Sequence, residues 1–242
     1  YSTLAERADE HVSVTLEAND LCPFYSLQLI RGVRVGPSPR WLLDLFEALS
    51  GVKNIRPVNN VVDITNFVLL EAAQPLHAFD ASKMSGREVV VRRAKRGETF
   101  NAINGDTYTF DEPPAPGKRT EGVSYDRWIW DDDLCVIADR ERPQAIGGVM
   151  GGLDSEIRAT TTDVMLESAF FSPLNNRATS RKLGLHSDSS YRFSRGVDPA
   201  GVLWAQRRAA ALIQEICGGE IYEGVVSAGT LEVPQHEVRL RP

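Results

Sequence analysis

Asp163-Val-Met-Leu-Glu-Ser-Ala-Phe-Phe171, followed at once by Ser172-Pro173, is the stretch on which the reading of the fold turns. Its apolar and aromatic residues, interrupted by one carboxylate at Glu167, predict a strand over 163–171. Ser172-Pro173 then supplies an N-cap and a proline at the first helical position, so a basic helix is expected to run on to about Gly184.

Working outward, the residues before this stretch carry further short β-like runs at 88–91, 107–110, 134–138 and 144–150, with Gly, Asp and Pro between them. Earlier still, Tyr25-Ser-Leu-Gln-Leu-Ile-Arg-Gly-Val-Arg-Val35 alternates well enough for a half-buried strand. Ser38-Pro39 repeats the cap-plus-proline signal. Trp41, Leu42, Leu45, Phe46 and Leu49 follow at helical spacing, with Gly51 where the helix would stop. A second apolar helix is predicted from Asn59-Asn60 through Val62, Phe67 and Leu70 to about Ala73. Downstream, Asp198 and Pro199 open a helix that turns Val202, Ala209, Leu212, Ile213 and Ile216 inward and ends at Gly218-Gly219. A strand over 221–226 follows it. Two helices, a block of strands and two more helices predict an α+β fold, mixed β-sheet layers with flanking helices, and not a repeating βαβ wheel. Residues 111–130, with Pro113-Pro114, Pro116-Gly117 and several aromatics, read as an inserted surface excursion.

Composition narrows the function class. A hydrophobic fraction of 42% and a charged fraction of 25% over 242 residues are those of a globular protein with room for a sizeable core. No apolar run approaches the roughly 20 residues that cross a bilayer, so no membrane partner is expected. Cys22, Cys135 and Cys217 are far apart and odd in number, which predicts buried thiols in a reducing cytoplasm, with neither a disulfide framework nor a metal site. The formal net charge of -6 is not the footprint of a chain that binds nucleic acid unaided. Local basic stretches exist all the same, at Arg92-Arg93-Ala94-Lys95-Arg96 and from 177 to 195.

Three segments carry a resemblance. One is Arg56-Pro-Val-Asn-Asn-Val-Val-Asp-Ile-Thr-Asn-Phe-Val-Leu-Leu-Glu71 with Gln74-Pro-Leu-His-Ala-Phe-Asp80. The next is Ala145-Ile-Gly-Gly-Val-Met-Gly-Gly-Leu-Asp-Ser-Glu156, and the third joins Leu166-Glu-Ser-Ala-Phe-Phe171 to the run from Gly184 to Asp198. In this order they resemble the B3/B4 region of the bacterial phenylalanyl-tRNA synthetase beta subunit. The resemblance implies a B3/B4 editing domain over 22–219, flanked by 1–21 and 220–242. Because the chain opens on Tyr1 and not on Met, it is expected to be an internal piece of that subunit.

The family implies a function that physical chemistry makes sensible. A phenylalanine pocket rejects tyrosine, its hydroxylated isostere, by only ~10²-fold, and a second site of opposite preference must hydrolyse the wrong ester. The resemblance assigns phenol reading to Glu167, whose carboxylate accepts a strong hydrogen bond. It assigns His77, Thr65 and Asn66 to the substrate ester, the terminal adenosine and the hydrolytic water. Gly147 and Gly148 would let backbone approach the aminoacyl group closely. Their run lacks the Lys-Ser/Thr of a P-loop, so a nucleotide loop is rejected. Ser189 stands where the family commonly has alanine.

Taken by themselves, His77 would be a satisfied structural histidine, Thr65 and Asn66 helix-surface residues, and Glu167 a carboxylate paired with an arginine or a backbone amide. The expected partners are the 3′ end of tRNA(Phe) and, for a full-length protein, the alpha subunit in an (αβ)2 assembly. No cofactor is expected for this chain, since ATP and Mg belong to the whole synthetase. An architectural or tRNA-docking module with a degenerate pocket, and a freestanding trans-editing protein, are the alternatives.

Overall fold

The computed structural model describes residues 2–50, 55–121, 124–232 and 239. Gly51, expected to end the first helix, lies outside them, as does part of the 220–242 flank. The predicted strand at the centre of the reading is β11 (Val164–Phe170), an interior strand of a six-stranded sheet. Its neighbours are β3 (Phe24–Arg31) on one side and β4 (Leu76–Asp80) on the other, both antiparallel. The sheet continues through β12 (Glu220–Glu223) to β1 (Thr3–Arg7), while β13 (Val226–Gly229) also pairs with β3. A second, five-stranded sheet runs β10 (Met150–Gly151), β9 (Pro143–Ile146), β8 (Cys135–Ala138), β5 (Glu88–Arg93) and β2 (Ser13–Leu16). A hairpin of β6 (Thr99–Asn101) and β7 (Thr107–Thr109) forms a third. Strands β1 and β2 come from the expected N-terminal flank, and β12 and β13 from the C-terminal one. Both flanks therefore pair with strands of the central region.

Strand alternation sorts these residues into layers. Tyr25, Leu27 and Leu29 of β3, Met165 and Ala169 of β11 and Phe79 of β4 pack against Val89, Val91, Cys135, Ile137 and Ala145 of the second sheet. The opposite face of the first sheet, with Ile30, Leu76, Ala78, Val164 and Leu166, is covered by α1 (Arg40–Leu49), α2 (Asn60–Ala72) and α5 (Gly201–Cys217). Phe100, Tyr108 and Phe110 pack with Val136 and Ile146 to form a smaller outer cluster. The result is a helix layer, two facing sheets and a hairpin.

Local chemistry explains the helix ends. Asn59 caps α2 by accepting from the Val62 N–H, and Ala73 closes it in the left-handed region at φ 56°. Ser172 caps α3 (Pro173–Leu183), with Pro173 at its start and Gly184 at φ 65° at its end, as predicted. Two expected caps are replaced. Ser38 does not cap α1, because its hydroxyl donates to Asp63 Oδ2 at 2.5 Å. Asp198 accepts from the Ala200 N–H in a local turn, so α5 begins only at Gly201. The run predicted as one strand at 144–150 is a hairpin that reverses at Gly147-Gly148, and α4 (Asp188–Phe193) adds a short helix not read from the sequence.

Among the described residues of 111–130 most side chains are exposed or half-buried. The segment returns along β7 through the Thr109–Arg127 and Ile129–Thr109 backbone bonds.

Candidate functional site

Glu167 and His77 sit directly opposite each other in the β11–β4 register, and both turn toward the second sheet. They line one cavity together with Gly148, Ser189, Met150 and Phe193. The Gly147-Gly148 reversal and the β9–β10 hairpin form its second wall. Helix α4 forms the third.

Glu167 is only 6% exposed, and the Tyr25 hydroxyl donates to its Oε2 at 2.8 Å. Burial pushes the carboxyl up to about 7, against the opposing pull of the Tyr25 hydrogen bond. Its other oxygen, Oε1, has no hydrogen-bond partner among the described residues and belongs to a side chain that lines the cavity. His77 is half-buried, but its Nε2 is inaccessible and unpaired. Burial lowers it to about 4, so the imidazole is neutral at physiological pH. Its ring stands edge-on to Phe79 at 4.5 Å, and a Cβ at Gly151 would come within 2.7 Å of its Cε1. Gly151 is therefore where the hairpin backbone approaches the imidazole.

Gly148 adopts φ 68°, and a Cβ there would run into Asn176 and the Phe171 and Phe193 rings. Asn176 Nδ2 donates to the Gly147 carbonyl at 3.2 Å, so α3 clamps the reversal from behind. Gly147 itself does not line the cavity, and its missing side chain would meet Phe171 and Cys135 instead. Ser189 is held by the capping box of α4, in which Ser187 and Ser190 satisfy each other's backbone amides. The Ser187 hydroxyl also donates to the Val149 carbonyl at 2.9 Å, which ties α4 to the glycine reversal.

Four of the expected site residues, His77, Gly148, Glu167 and Ser189, thus meet in one place. Thr65 and Asn66 do not line this cavity. They lie on α2, which packs on the helix-covered face of the sheet. The Thr65 hydroxyl donates to the Val62 carbonyl at 2.7 Å, and Asn66 lines a neighbouring groove with Arg56, Leu69 and Asp188. Tyr25, Gly151 and Phe193 belong to the site and were not singled out from the sequence. The Tyr25 parity on β3 matched Leu27 and Leu29, and that was its only signal.

Among the described residues, no group of His, Cys, Asp or Glu is placed to hold a metal ion, and no helix is long and apolar enough to cross a membrane. All three cysteines are buried and unbridged, and burial pushes Cys135 and Cys217 up to about 12.

Comparison with known proteins agrees with this architecture. The B3/4 domain family model matches residues 21–218. The phenylalanine–tRNA ligase beta subunit of Rhodopirellula baltica is 43% identical over 243 residues, covering 100% of this chain and 32% of that protein. The corresponding subunit of Anaeromyxobacter dehalogenans is 45% identical over 97% of this chain and 26% of its own length. The chain therefore spans about a quarter to a third of these curated relatives. An N-terminal fragment of the phenylalanyl-tRNA synthetase beta subunit from Pyrococcus horikoshii has the same fold at a TM-score of 0.50. It is 14% identical, and the match covers 95% of this chain and 57% of that one. With the family model matched over most of its length, the chain belongs to the B3/4 domain family.

Proposed function

We propose that the cavity is a proofreading site that hydrolyses the tyrosyl ester of tRNA(Phe). The observation that carries this reading is a carboxyl group buried at the cavity wall, with one oxygen held by Tyr25 and the other unpaired. A tyrosine side chain entering the cavity offers its phenolic hydroxyl to Glu167 Oε1. A phenylalanine ring leaves that oxygen buried and unsatisfied, at a cost of about 1–3 kcal/mol. That difference favours the tyrosyl ester by about 5–150-fold.

An aminoacyl ester is already activated, so positioning a water and stabilising the developing oxyanion is enough chemistry. His77, held near pKa 4 by burial, is a weak base at neutral pH. Its role in this reading is to orient a water or a ribose hydroxyl through a ring nitrogen. The Gly148 backbone N–H, which makes no hydrogen bond among the described residues, is the donor offered to the ester carbonyl. Thr65 and Asn66 take no chemical step here. Thr65 commits its proton to Val62, and Asn66 faces the adjoining groove, where it is suited to the terminal nucleoside. No metal or cofactor enters these steps. The parent subunit, in the same reading, works in the cytoplasm beside an alpha subunit that performs the ATP-dependent synthesis.

The test is deacylation of Tyr-tRNA(Phe) and Phe-tRNA(Phe) by the parent enzyme, wild type against Glu167→Ala. Selective hydrolysis of the tyrosyl ester by the wild type, lost in the variant, is the expected result. Hydrolysis of neither ester by the wild type would leave the domain an architectural one.

A further inference from the structure

The reversal between β9 and β10 is a four-residue turn, closed where the Val149 N–H donates to the Ile146 carbonyl at 3.0 Å. Gly148 holds its third position at φ 68°, and Gly147 is not among the residues of positive φ, which is the type II arrangement. Turning the middle peptide over gives the type I arrangement, in which the Gly147 carbonyl and the Gly148 N–H exchange sides. Glycine at both central positions admits either form. The backbone by itself therefore leaves open which polar group of this peptide faces the cavity.

The groups flanking that peptide are held by other bonds. The Gly147 N–H donates to the Cys135 carbonyl at 3.0 Å, and the Val149 carbonyl accepts from Ser187 at 2.9 Å. The middle peptide itself has one bond among the described residues, from Asn176 Nδ2 to the Gly147 carbonyl. Asn176 is 1% exposed, and its Oδ1 has no partner. Exchanging the amide's oxygen and nitrogen would set two oxygens against each other, so the donor's place is fixed. An orphaned buried oxygen is costly, and a residue kept only to fill this space would be apolar. In a trans peptide the C=O and N–H point in opposite directions, and no cis bond occurs among the described residues. With the Gly147 carbonyl turned to α3, the Gly148 N–H turns away from that helix. It finds no acceptor among the described residues, and it belongs to a residue that lines the cavity.

We infer that Asn176 is a positioning residue for hydrolysis: its amide selects the turn form in which the Gly148 N–H, and not the Gly147 carbonyl, is presented to the ester. The flipped peptide would set a carbonyl dipole against the developing oxyanion, replacing attraction with repulsion. The inference rests on the proofreading reading. Asn176 does not line the cavity, so it sets the rate through the peptide and leaves the choice between tyrosine and phenylalanine to Glu167.

The test is single-turnover deacylation of Tyr-tRNA(Phe) and Phe-tRNA(Phe) by the parent enzyme over a range of enzyme concentrations, wild type against Asn176→Ala and Asn176→Leu. Both variants lack the donor. Leucine keeps the branched shape of asparagine and alanine leaves a gap, so the two differ in thermal midpoint. The saturating rate constant for the tyrosyl ester is expected to fall about 10–100-fold in both, approaching the loss of a whole oxyanion donor. The half-saturating concentration and the ratio between the two esters stay within about 2-fold of wild type. A rate that follows the thermal midpoint, lost in the alanine variant and kept in the leucine variant, overturns the inference, because packing then explains it. So does a rate constant unchanged in both, or a loss carried by the half-saturating concentration. If the alanine variant fails to fold, the leucine variant decides alone, and a wild-type rate in it overturns the inference. Hydrolysis of neither ester by the wild type overturns the proofreading reading and this inference with it, whereas a working wild type with unaffected variants removes only the role of Asn176.

Discussion

Replacing Glu167 by glutamine should make the stability of this domain depend on pH in a way the wild type conceals. Burial raises the Glu167 carboxyl from 4.5 to about 7 in the folded chain. Between those values the folded state holds a proton that the unfolded state has released, so stability falls as pH rises, by about 1.36 kcal/mol per unit. Over the whole window the loss is about 3 kcal/mol. His77 behaves in the opposite sense. Its folded value is lowered from 6.5 to about 4, so the unfolded chain binds the extra proton, and stability falls as pH drops through that window. That loss is also about 3 kcal/mol. From about pH 4.5 to 6.5 the two slopes oppose each other and nearly cancel.

Glu167→Gln keeps an acceptor for the Tyr25 hydroxyl and removes one titration. Its stability relative to wild type should climb from pH 4.5 to 7 and level off above, a gain of about 3 kcal/mol. His77→Gln should gain a similar amount as pH falls from 6.5 to 4. Urea unfolding at half-unit pH steps reads both, with midpoint differences of about 1 M at the extremes. A gap between Glu167→Gln and wild type that stays constant from pH 4 to 8 would refute the claim that burial raises the Glu167 carboxyl.

Two further outcomes follow from the same geometry. Tyr25→Phe removes the hydrogen bond that opposes the burial of Glu167, so the carboxyl should rise above about 7 and the domain should lose about 1–3 kcal/mol. A pH profile of tyrosyl-ester selectivity, with its midpoint moved upward, checks the first effect, and a urea titration the second. Gly148→Ala forces a methyl group into a left-handed position against Asn176 and two phenylalanine rings, at a cost of about 2–4 kcal/mol read from the thermal midpoint.

Much of the local structure was legible in the residues. Asn59, Ser172-Pro173 and Gly184 mark helix ends through bonds made within one turn, so their chemistry can be read without knowing the fold. The caps expected at Ser38 and Asp198 were displaced by partners that local reading could not weigh. Ser38 reaches across 25 residues to Asp63, and Asp198 spends its carboxylate on a turn. The six-residue α4 was too short to show a period. Strands β1 and β2 pair in parallel with partners far along the chain, and nothing in their composition announces those partners.

For the site, motif resemblance by itself named Glu167, His77, Gly148 and Ser189, because residue type and order survive in a linear string. Only the tertiary structure decided which of the named residues share a cavity. Strand register places His77 opposite Glu167, strand parity turns both toward the second sheet, and helix α2 stays on the far face with Thr65. It also supplied Tyr25, 142 positions away from the carboxyl it holds. Burial and proximity are properties of packing, and they set the charge of a group only once the chain has folded.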